Sequence, residues 1–271
     1  MKKGANSEFI YQLFSLLIAI IVVHAVYVTV IRPNAAAFQK QQQIAQQTDA
    51  VVVSERSIYV VLKDFEQETC FILMVWALLI MAYKARLTFK EKSMLSLTML
   101  NIAPGASILP SDARDLCRPL QNLPPHQQAM LAPRTLLVAL QRFYATSSVA
   151  AVASAVKNTC ESETDKLDSE LAMVRYIVWA IPSIGFIGTV RGIGDALGLA
   201  HEAVQGNIIG VTNSLGIAFN STFIALVISI FVMFFSHQLQ LMQERLVQGT
   251  QDYCDNSLLN HLLKNTTDEV E

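Results

Sequence analysis

The chain has 271 residues, of which 52% are hydrophobic and only 15% charged, with a formal net charge of −2. Soluble globular domains carry about 25% charged residues, so too few charges are present to cover a water-facing surface. The near-neutral balance argues against nucleic acid and against electrostatically steered anionic substrates as partners. What remains is an all-α integral membrane protein.

A helical span needs about 20 mostly apolar residues, and residues 9–31 (FIYQLFSLLIAIIVVHAVYVTVI) supply the first. A cleaved leader is the competing reading, because Val23 and Ala25 sit at plausible positions behind Lys2 and Lys3. The apolar run continues beyond that point, which favours an uncleaved helix. Residues 35–68 are rich in Ala and Gln without Pro or Gly, and read as a helical hairpin outside the membrane. The second apolar run, residues 70–83, is short. Asp64, Glu66 and Glu68 precede it and Lys84, Arg86, Lys90 and Lys92 follow, the asymmetry of a span ending in the cytoplasm, with the helix starting around Phe65.

The middle segment alternates helical patterns with turns at Pro104, Pro110, Pro119, Pro124 and Pro133. Its residues 134–156 predict one helix that continues through Lys157 to Arg175 into a third span, residues 176–200; the fourth, residues 211–236, holds no charge. Of the 20 basic residues, 15 fall on the side of the termini and the middle segment, while Arg32, Lys40, Arg56, Lys63 and Arg191 fall on the other. This excess places both termini and the middle segment in the cytoplasm. The expected layout is a first span within 1–33, a periplasmic helical segment 34–68, a second span 69–84, a cytoplasmic helical domain 85–174, a helix pair 175–237 and a cytoplasmic tail 238–271.

Cys70, Cys117, Cys160 and Cys254 lack metal-site or disulfide-framework spacing, and His24, His126, His201, His237 and His261 show no paired arrangement. No metal and no cofactor are expected. Gly192, Gly194 and Gly198 approach a dinucleotide-binding fingerprint, but residues 203–243 contain no Asp or Glu to hold a ribose, and an apolar run of spanning length follows. On a helix, Gly185, Gly188, Gly192 and Ala196 instead form one small face that permits close backbone approach. Pro182 is tolerated there because neighbours can satisfy the carbonyl it frees. Ser214, Ala218, Ser221 or Thr222, Ala225 and Ser229 form a matching face on the fourth span.

The runs PSIGFIGTVRGIGDALGLA and LGIAFNSTFIALVISI, within residues 175–240, resemble the signature helix pair of the MotA/TolQ/ExbB proton-channel family. The GTV segment is similar to the ExbB and TolQ branch, whereas the four-span layout resembles MotA. The resemblance implies that Thr189 and Thr222 line the ion path together with Ser214, Ala218 and Ser221, while Pro182, Gly185, Gly188 and Gly192 shape and pack the helix. It also implies a homopentamer of this chain in the lipid bilayer of a bacterial inner membrane. A MotB/TolR/ExbD-like single-span partner would supply an essential aspartate, and ion flow would drive rotation. Neither enzymatic activity nor nucleic-acid binding follows from it.

Arg191 departs from the family pattern. With Asp195 four residues on, it reads either as a functional charge or as an interfacial i, i+4 ion pair, a gating element in the first case. No other carboxylate falls within the expected spans, so the acid of a proton path is expected from the partner. A non-conducting scaffold whose glycine faces serve packing alone is the alternative function.

Overall fold

The computed structural model describes residues 2–46, 57–97, 99–100, 102 and 106–262. Among these, helices are the regular elements, and a single parallel bridge joins Ile108 to Leu262. The turn of the expected 35–68 hairpin, Arg56, Pro104 and the end of the tail lie outside the described residues.

Helix α1 (Lys2–Val26) runs through a π-helical turn at Tyr27–Ile31 into α2 (Arg32–Gln46). Pro33 brings no N–H to the ladder, and the register widens beside it: the Arg32 N–H reaches back to Tyr27 O, while the Asn34 side-chain amide donates to Val30 O at 2.8 Å. Short α3 (Ile58–Leu62) packs against α2. After a break at Lys63 and Asp64, α4 (Phe65–Leu95) begins at Phe65, where the flanking charges predict it.

Next come α5 (Ala113–Gln121), α6 (Pro125–Gln128), α7 (Leu131–Thr146) and α8 (Val149–Glu170). The single helix expected over residues 134–156 is broken between α7 and α8. Ser147 takes a left-handed φ of 52°, and the Ser148 hydroxyl caps α8 by accepting from Ala151 N at 3.3 Å. One turn at Leu171 separates α8 from α9 (Ala172–Gly198), which carries the glycine face. Short α10 (Ala200–Val204) leads to α11 (Ile209–Ser257), and a 3-10 turn, Leu259–His261, follows.

The chain divides into two compact units. The first comprises Met1–Ala82 and Met173–His237. Within it, Ala19 and Val23 of α1, Tyr27 of the π-helical turn and Ala77 and Ile80 of α4 are buried. Trp76 Nε1 donates to Gln12 O at 2.9 Å and the Tyr11 hydroxyl to Leu79 O at 3.2 Å, tying α1 to α4. Phe9, Leu13, Phe14, Leu17 and Ile21 are exposed on α1, as are Phe219, Phe223 and Ile230 on α11. Four helical stretches, Glu8–Gln41, Phe65–Leu95, Val149–Gly198 and Ile209–His261, are long and apolar enough to cross a membrane, which accounts for large side chains left on the outside.

The second unit comprises Tyr83–Ala172 and Gln238–Glu271. Its core joins Leu136, Leu140 and Phe143 of α7 to Val152, Val156 and Cys160 of α8, with Leu120, Leu246 and Cys254 packed in. Arg134 and Lys166 flank the buried Glu163 carboxylate at 2.6 and 2.8 Å, which compensates its charge.

Candidate ion-path site

Gly185, Gly188, Gly192 and Ala196 are all buried along one side of α9. A Cβ placed on Gly188 would lie 2.5 Å from Ser221 Cβ, and one on Gly192 2.8 Å from Ala218 Cβ and from Ser214 O; one on Gly185 would collide with Ala225 Cβ. Such separations are too short for real carbon pairs, so each position needs glycine for α9 and α11 to cross this closely. Gly194 and Gly198 have open space where a Cβ would stand, so the close approach is confined to the small face.

Pro182 cannot donate to Val178 O, and the Ser229 hydroxyl on α11 donates to that carbonyl at 3.2 Å. The freed backbone group thus becomes an inter-helix tie. Cys70 Sγ makes a longer contact to Ile181 O at 3.7 Å, joining α4 to the same turn.

The crossing brings Thr189 and Thr222 side by side, hydroxyl to hydroxyl. Thr189 Oγ1 is also 3.1 Å from Ala218 O, and Thr222 Oγ1 is 3.0 Å from Gly185 O. Each hydroxyl owns one hydrogen, and Gly185 O also lies 3.4 Å from Thr189 Oγ1, so a chain of bonds through the pair can run either way. Thr189 donates to Thr222 and Thr222 to Gly185 O, or Thr222 donates to Thr189 and Thr189 to Ala218 O. The alternatives run in opposite directions, which is the property that lets hydroxyls pass a proton or reorient around a cation. Ser221, facing Gly188, donates to Ile217 O at 3.0 Å, and Gln67 Nε2 lies 3.4 Å from its hydroxyl. Ser214 contributes its backbone carbonyl opposite Gly192, and Ala218 its methyl and carbonyl.

Two features differ from expectation. Arg191 pairs with Glu66 of α4, Nη2 to Oε2 at 3.0 Å, while Asp195 is exposed. A partner from another helix replaces the one the i, i+4 rule selects. Nor is the crossing free of carboxylates from this chain: Glu66 Cγ would stand 3.2 Å from a Cβ on Gly188. Because α4 begins at Phe65, Glu66 falls in its first turn, ahead of the apolar run, and reaches α9 sideways.

Two residues on, Glu68 is held on both oxygens, by His24 Nδ1 at 2.6 Å and by Arg32 Nη2 at 2.5 Å. Arg32 also lies over the Phe65 ring, 4.8 Å from its centroid. In the turn before α4, burial pushes the Asp64 carboxyl up from the ordinary carboxylate range, with Lys63 and Arg191 pulling the other way. Among the described residues, no group of three or more His, Cys, Asp or Glu is arranged to hold a metal ion.

Residues 128–252 match the model of the MotA/TolQ/ExbB proton channel family. No curated protein and no solved structure matches the chain. The matched stretch includes all of α9, α10 and the crossing of α9 with α11. The likeness to this family thus rests on residues 128–252, a little under half of the chain.

Proposed function

We propose that this chain is the channel-forming stator subunit of an ion-driven motor in a bacterial inner membrane, conducting protons together with a single-span partner. The observation that carries this reading is the Thr189–Thr222 hydroxyl pair, set at a glycine-thinned crossing inside the family domain. Two hydroxyls with two donating directions offer a polar relay in a helix pair that is mostly apolar. The partner's membrane aspartate would meet this pair. A homopentamer of the chain around the partner would then convert ion-motive force into rotation or other mechanical work, with only O–H bonds made and broken as the proton passes. Both termini and the second unit are cytoplasmic in this reading.

The second reading is a non-conducting scaffold. It is favoured by the glycine contacts themselves, since Gly185, Gly188 and Gly192 each meet a residue of α11 and packing alone explains them. The Thr189 and Thr222 hydroxyls also tie α9 to α11 through Ala218 O and Gly185 O, so ion flux rather than assembly separates the two. The test is proton flux into liposomes holding the full chain with its single-span partner. The stator reading expects flux that vanishes when the partner's membrane aspartate becomes asparagine. Absence of flux in the intact complex supports the scaffold.

A further inference from the structure

Two carboxylates in the first turn of α4 are both buried, yet their surroundings differ. Glu68 is compensated on both oxygens by His24 and Arg32. Glu66, 9% exposed, has one cation within reach among the described residues: Arg191 Nη2 is 3.0 Å from Oε2, but no hydrogen bond from these residues is aligned on that oxygen. A charge pair lacking that bond leaves much of the cost of removing a carboxylate from water unmet. Between the two glutamates, Gln67 is 1% exposed and its Oε1 also has no partner, while its amide nitrogen reaches Ser221 Oγ at 3.4 Å and Val61 O at 3.2 Å.

These groups converge over Gly188. A Cβ there would stand 2.7 Å from Ser221 Oγ and 3.2 Å from Glu66 Cγ, so the missing side chain leaves room in which the carboxyl and hydroxyl sides approach one another. The other ionisable groups facing Glu66 are Arg191 from α9, Asp64 from the preceding turn and Cys70 one turn further along α4; α11 presents only the neutral Ser221. Arg191 is 43% exposed on the outside of the chain, which leaves its guanidinium room to move away when the pair opens.

We propose that Glu66 is a proton-binding site supplied by this chain itself, seated beside Ser221 at the α9–α11 crossing, with Arg191 as the counter-charge that leaves when the proton arrives. A proton bound at Oε2 neutralises the carboxylate and releases the guanidinium; its departure restores the ion pair, and no other bond changes. The site's place on an ion path rests on the channel reading, whereas its proton occupancy does not. Glu68, hydrogen-bonded on both oxygens, serves to hold α1 and α2 against α4.

Dicyclohexylcarbodiimide modifies protonated carboxyls in apolar surroundings, so the full chain in liposomes is treated with it over a series of pH values and the adducts are located by mass spectrometry. Glu66 is expected to carry at least about tenfold more label than Glu68, because hydrogen bonds on both Glu68 oxygens favour its ionised form and Glu66 Oε2 has none. Label at Glu66 should fall as pH rises, and Arg191→Gln should move that fall to higher pH. Glu66 unlabelled at every pH, or labelled no more than Glu68, overturns the proposal. In the complex with the single-span partner, Glu66→Gln should lower proton flux at least ~10-fold, as loss of one proton-transfer group does. Unchanged flux in that variant overturns the site's role while leaving the channel reading intact. If Glu66 labels as described and the wild-type complex carries no flux, it is the channel reading that fails.

Discussion

The α9–α11 crossing in the first unit and the α7–α8 core in the second solve helix packing by different means. At the crossing, contact is made by Gly185, Gly188 and Gly192 against Ala225, Ser221 and Ala218, and the ties are hydroxyl-to-carbonyl bonds such as Ser229 to Val178 O. In the α7–α8 core, contact is made by Leu136, Leu140, Phe143, Val152 and Val156. The difference follows from the surroundings each packing suits. Lipid tails are as apolar as leucine, so helices in a bilayer gain little by burying large side chains against one another and rely on close approach and polar ties. Where water is the competitor, apolar burial is the driving term.

Truncating a bulky group should therefore hurt the second unit most. Phe143 is fully buried, and Phe143→Ala is expected to cost about 3–5 kcal/mol, read as a lowered unfolding midpoint of that unit in denaturant. At the crossing the opposite change should do the damage. Gly188→Leu forces carbon onto Ser221 and Glu66 and is expected to cost ~2–3 kcal/mol, read in thermal unfolding of the detergent-solubilised chain. Ser229→Ala leaves Val178 O without either the N–H that Pro182 lacks or the hydroxyl. A cost of about 1 kcal/mol is expected, read in thermal unfolding of the detergent-solubilised chain. Gly194→Ala, with open space around the new methyl, should have the smallest effect and the opposite sign, a gain of up to ~1 kcal/mol in the same measurement. If Gly194→Ala proves as harmful as Gly188→Leu, the small face is not what brings the helices together.

The apolar runs made the crossing helices visible in the sequence, because long charge-free stretches have few alternatives. The small face was equally legible, since Gly185, Gly188, Gly192 and Ala196 recur at helical steps and are buried together. Local rules failed where the partner is remote. For Arg191 the nearest acid along the helix is Asp195, yet the ion pair forms with Glu66, which stands outside the apolar run and is brought over by the packing of α4. The break after α7 was hidden because Ser147 takes a left-handed conformation without a glycine or proline to announce it. The π-helical turn at Tyr27–Ile31 had a signal in Pro33, two residues beyond its end, but those five residues are mostly apolar and read as the last part of the first span.

The central claim is that the hydroxyls of Thr189 and Thr222, rather than the packing around them, make this crossing a conducting path. Proton flux through the complex in liposomes, compared between Thr189→Ser with Thr222→Ser and Thr189→Val with Thr222→Val, tests it most directly, because valine keeps the threonine shape while serine keeps the hydroxyl. The account predicts that the serine pair conducts at a rate close to wild type and the valine pair falls to the background of empty liposomes, with both assembling normally. Equal flux from the valine pair would contradict it.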